Sequence, residues 1–402
     1  MRRRDDGSAD KARALVLSPE APYPPVGGGA MRTASLIQYL AARYETDLIV
    51  FREPGASNPK ASIPAGLLRA TLVLELPVHG RGSAARTLRN LRRLLLGVPP
   101  LNDRFHGFEA PIRQWLQDRR YELAVVEHFW CAPYARLLRS HADHLVLDLH
   151  NVESELHAGL ARTEPLPSRW AHRRFAGCCR RLEDRWLREF SAVVTASEED
   201  AARVRAIAPG TPTAVYPNAI PLVPQPRVPE QEAIVFSGNL EYPPNVAAVR
   251  FFRREVWPLL RARRPRLVWW VFGKNPQGVA RYLRGDPQIE LIGPVEDAMG
   301  ILAAAQVVVA PVLAASGTRF KILEAWAAGR AVVSTTIGAE GLGARHGEHL
   351  LLADEARSFA AAVAALLDSP ERRRALGQAG RSLYERCFCW EAAWTRLREV
   401  GI

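Results

Sequence analysis

The fold is decided by residues 307–329, which read VVVAPVLAASGTRFKILEAWAAG. Three consecutive valines before Pro311 are typical of a buried strand that ends at the proline, because proline lacks the N–H that a central strand needs. A loop of small residues then leads into a helix that we predict to begin near Thr318. Gly329 is expected to end this helix, since glycine commonly follows a helix. The segment is therefore a strand–loop–helix unit.

The same alternation of short apolar runs and helical patterns continues along the chain. The runs are apolar on both faces, as in parallel strands that helices cover on both sides. The predicted strands are residues 13–17, 47–51, 71–76, 123–126, 144–149, 192–195, 233–236, 267–272, 289–292, 307–310, 331–334 and 349–352. Strand–helix–strand order in both halves predicts an α/β fold of two Rossmann-like, doubly wound domains that face a cleft.

A proline-rich stretch separates the two halves. Residues 217–229 contain five prolines, which exclude a helix or a central strand there. We predict a flexible tail over 1–11, a first domain over 12–216, a linker over 217–230, a second domain over 231–385, and a C-terminal helix over 386–402 that packs back on the first domain. The cleft between such domains is the default ligand site.

Composition excludes several classes of protein. The 402 residues are 48% hydrophobic, which fits globular domains, and the first ten are too polar for a secretory signal. The longest apolar stretch, 298–315, is interrupted by Gln306 and Pro311, so we predict a short helix and a buried strand instead of a membrane span.

The five cysteines form no CxxC pair and are expected to be free thiols. A cytoplasmic location is expected. The net charge of +12 favours anionic partners.

Three glycines follow the first predicted strand and precede a helical pattern. Gly28 and Gly29 belong to this loop, which lets the backbone approach a ligand and exposes N–H groups at the positive end of the helix. The alternative is a tight turn without a ligand.

The helix after Pro311 carries groups that suit a nucleoside diphosphate. The candidates are the backbone N–H groups of Ser316, Gly317 and Thr318 and the side chains of Arg319 and Lys321 for the phosphates, and Glu324 for the ribose hydroxyls. Lys321 and Glu324 share a helical face. The alternative is a surface Lys–Glu pair, but the chain has only four lysines, and Glu324 has apolar neighbours.

These motifs occur in a familiar order. They are Pro24-Pro25 with Gly28-Gly29 and Arg32, then residues 195–198, Pro217-Asn218, residues 237–239, residues 293–295, Pro311, residues 317–324 and residues 340–342. In order and spacing, residues 12–394 resemble glycosyltransferase family 4, the group 1 transferases of GT-B fold.

The resemblance implies a retaining glycosyltransferase whose first domain holds the acceptor. Its donor is a UDP- or GDP-sugar, and it needs no cofactor and no metal. The implied nucleotide-sugar-binding residues are Gly28, Gly29, Gly238, Asn239, Gly293, Val295, Ser316, Gly317, Thr318, Arg319, Lys321 and Glu324. The acceptor is a glycan, a lipid-linked molecule or a small molecule, in cell-surface polysaccharide or glycoconjugate synthesis.

Two departures from the family pattern concern the donor. Ser316 stands where the family usually has a glutamate, eight positions before Glu324. Residues 237–245 lack the Arg and Lys that many members carry after the first strand of the second domain. We predict that Arg319 and Lys321 compensate.

Two histidines compete for the reacting centre. The resemblance implies that His128, after a middle strand of the first domain, faces the donor sugar as the catalytic residue, and His150 is the alternative. Either could be a core histidine. Asp148 and His150 come closest to a metal-binding triad, but we expect Asp148 to have an interdomain structural or acceptor role.

Basic residues cluster in two segments of the first domain. The first contains Arg81, Arg86, Arg89, Arg92 and Arg93, and the second contains seven arginines between Arg169 and Arg188 in a predicted long amphipathic helix. The hypothesis is peripheral contact with an anionic membrane, and the alternative is a solvated helix face. Two other functions are the alternatives to a glycosyltransferase: a sugar-nucleotide epimerase of GT-B fold and a non-enzymatic nucleic-acid-binding protein. The sequence lacks a carboxylate-rich cleft and a nucleic-acid-binding module, so no nucleic-acid partner is expected.

Overall fold

The apolar runs of the sequence form the strands of two parallel sheets. The structure is a computed structural model that describes residues 11–78, 83–314, 320–399 and 402, with only the backbone described for Ser83, Ala84 and Arg86. In this part of the chain the first sheet has seven strands in the order β3-β2-β1-β4-β5-β6-β7, and the second has six in the order β10-β9-β8-β11-β12-β13. All pairings are parallel. The predicted α/β class is confirmed.

The strand bounds follow the chain. The first sheet contains β1 (Arg13–Ser18), β2 (Glu45–Arg52), β3 (Ala70–Glu75), β4 (Tyr121–Glu127), β5 (Ala142–Leu149), β6 (Ala192–Thr195) and β7 (Thr213–Val215). The second contains β8 (Gln231–Ser237), β9 (Val268–Phe272), β10 (Ile289–Ile292), β11 (Ala305–Ala310), β12 (Ala331–Ser334) and β13 (Leu351–Leu352).

Helices cover both faces of each sheet. The first domain has α1 (Gly28–Ala41), α2 (Ser83–Leu96), α3 (Pro100–Arg104), α4 (Glu109–Leu116), α5 (Ala135–Leu138), α6 (Glu153–Thr163), α7 (Ser168–Leu187) and α8 (Glu198–Ile207). The rest of the chain has α9 (Pro243–Phe251), α10 (Trp257–Arg263), α11 (Gln277–Leu283), α12 (Ala298–Ala304), α13 (Phe320–Ala327), α14 (Ala356–Asp368), α15 (Pro370–Cys387) and α16 (Trp390–Glu399). One π-helical turn, Phe252–Val256, joins α9 to α10.

The cores explain why the strands are apolar on both faces. In β1, Leu15 and Leu17 pack into one hydrophobic cluster, whereas Ala14 and Val16 pack into another on the opposite face of the sheet. In β11, Val307 and Val308 separate in the same way between two clusters of the second domain. Successive side chains of a strand point to opposite faces, so a sheet covered on both sides needs uninterrupted apolar runs.

Coil joins the two sheets between Val215 and Gln231, with one isolated bridge from Ile220 to Cys389. After Cys389 the chain returns to the first domain. There α16 packs through Trp390, Ala393 and Leu397 on a hydrophobic cluster that includes residues of α1. The predicted flexible tail lies outside the described residues except for Lys11.

Several local predictions are confirmed. The stretch 298–315 contains α12 followed by β11, and α7 is the long helix predicted over the second arginine segment. All five cysteines are free, and four of them are buried. No helix in the described ranges is long and apolar enough to cross a membrane.

The strand order reverses at one place in each sheet, between β1 and β4 and between β8 and β11. Loops leaving the carboxyl ends of such neighbouring strands diverge to opposite faces and leave a crevice. The residues predicted to bind a ligand follow these strands.

Candidate functional site

The loop after β1 contacts the second domain. The Nζ atom of Lys274, just after β9, donates a hydrogen bond of 2.9 Å to the carbonyl oxygen of Val26. A Cβ at Gly28 would lie 2.8 Å from the ring of Phe320 on α13, so glycine permits this approach. The first glycine loop therefore lies against the carboxyl edge of the second sheet.

The neighbouring glycine accommodates an acidic side chain. A Cβ at Gly29 would overlap the carboxylate of Glu20, whose Oε1 lies 3.8 Å from Nε2 of His128. Burial opposes ionisation of Glu20, but the nearby His128, His150 and Lys274 hold its pKa below the ordinary value. The side chains of Phe320 and Glu20 leave no room for a Cβ at these positions, which explains both glycines. The contact of Gly28 and Gly29 with a nucleotide sugar stays a prediction.

Lys321 forms a buried cluster with the end of β8. Its Nζ donates a hydrogen bond of 2.8 Å to Oδ1 of Asn245 and lies 3.9 Å from the ring centre of Phe236. The Nδ2 group of Asn245 donates in turn to the carbonyl oxygen of Asn239, at 2.8 Å. Gly238 has a φ of +150°, and a Cβ there would lie 3.4 Å from Nζ of Lys321. The cluster fixes a positive charge at the carboxyl edge of the sheet.

Glu324 lies one turn further along α13 and is half-buried. Burial raises the pKa of its carboxyl group, and the positive charge of Lys321 opposes this shift. The predicted pairing of a cation and a carboxylate on one helical face therefore agrees with the helix that is observed.

The structure describes only some of the other residues predicted to bind the nucleotide sugar. Asn239 lies beside Gly238, with its Oδ1 accepting a hydrogen bond of 3.1 Å from Nδ2 of Asn275. Gly293 and Val295 follow β10 at the outer end of the sheet, with open space next to Gly293. Ser316, Gly317, Thr318 and Arg319 lie outside the described residues.

His128 lies across the cleft, directly after β4. Its φ of +63° is unusual for a residue with a side chain, and its backbone N–H donates to the carbonyl oxygen of Asp148 at 3.0 Å. The ring is buried, stacks on Trp130 with centroids 4.2 Å apart, and contacts the ring of His150 with centroids 3.5 Å apart. Its Nε2 accepts or donates no hydrogen bond within the described part of the chain. Backbone strain and a buried ring nitrogen that lacks a hydrogen bond are typical of functional sites.

A fully buried ion pair lies next to His128, on the first-domain side of the cleft. The Nε and Nη2 atoms of Arg32, on α1, donate to the carboxylate of Asp148 over 2.6–3.0 Å. Nη1 donates to the carbonyl oxygen of Tyr216 at 2.7 Å and to Oδ1 of Asn218 at 2.9 Å. The side chains that contact the Asp148 carboxylate, Arg32 and His150, both belong to the first domain. The expected interdomain structural role of Asp148 is therefore wrong, and its acceptor role stays a prediction.

A second buried pair lies beside it. His150 Nε2 and Glu127 Oε2 are 2.5 Å apart. Burial raises the pKa of Glu127 to about 7, although Arg32 and His128 oppose the shift, and burial lowers the pKa of His150 well below its ordinary value.

Glu127, Asp148 and His150 are also the one group in the described ranges that could hold a metal ion, with ligand atoms within 4.8 Å of one another. These residues fit a divalent cation poorly. The Arg32 guanidinium already binds Asp148, and it would repel an added cation. Independence from metal stays a prediction.

Three functional candidates escaped the sequence analysis, namely Glu20, Phe320 and Lys274. Glu20 belongs to no predicted motif, and Phe320 lies within residues 317–324 but carries no polar group that marks it as a candidate. Lys274 had a signal, because it is one of the four lysines of the chain and follows a predicted strand.

The cleft thus has two chemically different walls. Fixed cations, Lys274 and Lys321, lie on the side of the second domain, and a histidine with a nearby carboxylate lies on the side of the first. Two Rossmann-like domains that face such a cleft define the GT-B class.

Comparison with protein families assigns both halves. Residues 27–219 match a "Glycosyl transferase 4-like domain", and residues 231–369 match "Glycosyl transferases group 1". The chain belongs to the GT-B glycosyltransferases of the group 1, family 4 type. It is a glycosyltransferase, which decides against the epimerase and the nucleic-acid-binding alternatives.

Similar solved structures agree on the fold. Sucrose-phosphate synthase from Thermosynechococcus elongatus is 18% identical, with a TM-score of 0.71, over 96% of this chain and 98% of the other. HepE of Anabaena, solved with UDP and glucose, is 15% identical, with a TM-score of 0.67, over 97% and 99%. TarM is 10% identical, with a TM-score of 0.71, over 97% and 98%.

One curated relative comes from Klebsiella pneumoniae and is named "Uncharacterized 44.6 kDa protein in cps region". It is 28% identical over 135 residues, which are 32% of this chain. The match spans 35% of that relative's length.

Proposed function

We propose that this glycosyltransferase moves a sugar from a UDP- or GDP-sugar to a glycan, lipid-linked or small-molecule acceptor with retention of anomeric configuration. The reaction needs no metal and no cofactor. It serves cell-surface polysaccharide or glycoconjugate synthesis in the cytoplasm, and the enzyme docks on the inner face of the membrane. The name of the Klebsiella relative, which mentions a cps region, supports this setting.

One observation carries the donor proposal. Lys321 is held by Asn245 at the carboxyl end of β8, opposite the glycine loop that follows β1. A fixed ammonium at a strand end is suited to the negative charge of a diphosphate. Glu324, one turn away, supplies carboxylate oxygens for the ribose hydroxyls.

Relatives support the choice of donor. HepE of Anabaena has been solved with UDP and with UDP-glucose, and TarM of S. aureus with UDP. Residues 237–245 lack the Arg and Lys that many family members carry there. Asn245 instead binds Lys321, so the ammonium group of Lys321 supplies the positive charge at this position.

The first domain supplies the other half of the reaction. His128 faces the donor sugar, and its Nε2 forms a hydrogen bond that stabilises charge developing in the transition state. The departing phosphate oxygen takes the proton of the acceptor hydroxyl, so the protein mainly orients the substrates. Glu20, 3.8 Å from Nε2, orients the imidazole.

A thermal-shift screen tests the donor. We expect UDP- or GDP-sugars at about 100 times Kd to stabilise the protein by about 2.7 kcal/mol, because they bind only the folded state. The midpoint temperature should rise by a few degrees, with or without EDTA.

Uridine and guanosine, which lack phosphates, are the controls and should give no shift. No response to UDP, GDP, ADP or any of their sugars would contradict the proposal. A shift that disappears with EDTA would contradict independence from metal.

The membrane proposal depends on the apolar face of α2, which is turned to solvent. Leu88, Leu91, Leu95 and Leu96 are 51–72% exposed at spacings that place them on one side of the helix. Arg92, on the same helix, is also exposed. We call these four leucines the α2 leucine face.

The adjacent helix extends this surface. Nε of Arg174, on α7, donates to the carbonyl oxygen of Leu94 at 3.4 Å, so the two helices lie side by side. Trp170, also on α7, is 70% exposed. Exposed leucine and tryptophan among arginines match an interface with apolar chains and anionic headgroups. Arg81 and the side chain of Arg86, which belong to the predicted basic segment, lie outside the described atoms.

Liposome cosedimentation tests this surface. We expect the protein to bind phosphatidylglycerol vesicles at about 0.1 M salt, where headgroup charge is only partly screened. Leu91→Gln with Leu95→Gln should weaken binding by at least about a hundredfold, because each leucine loses about 1.5–3 kcal/mol of burial.

The matched control replaces two leucines exposed elsewhere, Leu222→Gln with Leu259→Gln, and should bind like the parent protein. Absence of binding by the parent protein, or equal binding by both double variants, would contradict a membrane role for the α2 leucine face.

A further inference from the structure

A pocket of about 480 Å³ lies between α6 and α7. It is lined by Ala158, Ala161, Arg162, Arg169, Arg173 and Ala176. The alanines leave the space between the two helices unfilled, and the arginines supply its polar surface. No lining residue is acidic.

The pocket is separate from the cleft. On α6, Leu156 and Leu160 pack on Ala314, which follows β11 on the cleft side of the second domain. Ala158 lies about 160° around the helix from both leucines and Ala161 about 100–140° from them, because each helical residue advances by about 100°. The helix α6 is therefore a wall that has the cleft on one side and the pocket on the other.

The positive charge of the pocket arginines meets no carboxylate partner in the part of the chain that the structure describes. Arg162 and Arg173 form no ion pair with a carboxylate of the described residues. Nε of Arg169 donates to the backbone carbonyl of Glu164 at 3.2 Å, which fixes this side chain. The Glu164 carboxylate is bound by Arg250 at 3.2 Å. Three guanidinium groups thus share one concave space.

The chemistry of the lining selects the ligand. Guanidinium groups bind phosphate oxygens in pairs of parallel hydrogen bonds, and three of them balance the charge of a diphosphate. The first turn of α7, which begins at Ser168, adds the partial positive charge of a helix N-terminus. We propose that this pocket binds a phosphate or diphosphate group, as a second anion site distinct from the donor site.

Such a group can come from a lipid headgroup or from a free phosphate compound. The exposed side chains of Leu166 and Trp170 lie in the same segment as Arg169, so an apolar chain could extend from the pocket along them. Both sources present the same phosphate chemistry to the three arginines.

Hydrogen–deuterium exchange of the full chain tests the site and localises it. The probes are inorganic pyrophosphate, phosphatidic acid vesicles and phosphatidylserine vesicles of equal charge density. We expect pyrophosphate or phosphatidic acid to slow exchange in peptides spanning residues 158–176. The variant pair Arg162→Gln with Arg173→Gln should raise the apparent Kd at least about tenfold, since each removes a charge-assisted hydrogen bond.

The control removes two exposed arginines from α15, Arg372→Gln with Arg374→Gln, and should leave the protection unchanged. Protection by pyrophosphate assigns a free ligand, and protection by phosphatidic acid alone assigns a lipid headgroup. Equal protection in both double variants, protection by both kinds of vesicle without pyrophosphate, or no protection by any probe would overturn the proposal.

Discussion

Replacing Arg32 with Met is expected to lower the free energy of unfolding by about 3–5 kcal/mol, because it leaves the Asp148 carboxylate charged and unpaired inside the protein. The two side chains are 1% and 0% exposed. The substitution also removes the hydrogen bonds that Arg32 donates to the Tyr216 carbonyl oxygen and to Asn218. Guanidinium chloride unfolding, followed by circular dichroism, measures the change.

Two further variants separate a buried charge from a merely missing contact. Arg32→Met combined with Asp148→Leu removes both charges, so it should cost less than Arg32→Met alone. Arg396→Met breaks a pair whose side chains are each 62% exposed, and it should cost less than about 1 kcal/mol. A loss from Arg32→Met as small as that from Arg396→Met would contradict the role assigned to the buried pair.

The sheets could be predicted from the sequence because parallel strands covered on both sides need uninterrupted apolar runs. The run at 307–310 is an example, and it lies within β11. The three residues of β7, Thr213–Val215, were missed, since they are half-buried at the sheet edge and too short to form such a run. The run at 349–352 was predicted too long, because only Leu351 and Leu352 pair with β12.

The site could be predicted only where its residues follow one another along the chain. Lys321 and Glu324 share one helix, so their spacing alone brought them together. Arg32 and Asp148 are 116 positions apart, and no local pattern links them. Glu20 was missed for the same reason, since its proximity to His128 depends on how the ends of β1 and β4 pair in the sheet. The glycines at 28 and 29 form a recognisable loop, but no local pattern links them to Phe320 and Glu20, which lie next to them in the structure.

Replacing Lys321 with Met should raise the Kd for the nucleotide diphosphate about 10- to 100-fold, because a charge-assisted hydrogen bond to a charged group contributes about 1.5–3 kcal/mol. Methionine keeps an unbranched stem that can pack against Phe236, so the cluster keeps its shape while losing the ammonium group. Isothermal titration with the nucleotide that responds in the thermal-shift screen measures the change.

The control is Lys60→Met, which removes the same charge from an exposed position and should leave the Kd within about twofold of the parent value. Because Nζ of Lys321 also binds Asn245 at 2.8 Å, the unliganded variant must first be shown to melt near the parent temperature. A folded Lys321→Met protein that binds the nucleotide as tightly as Lys60→Met would show that Lys321 holds Asn245 in place and does not contact the diphosphate. The phosphate charge would then be met elsewhere on the same wall of the cleft, and Lys274, which binds the glycine loop at Val26, is the next residue to replace.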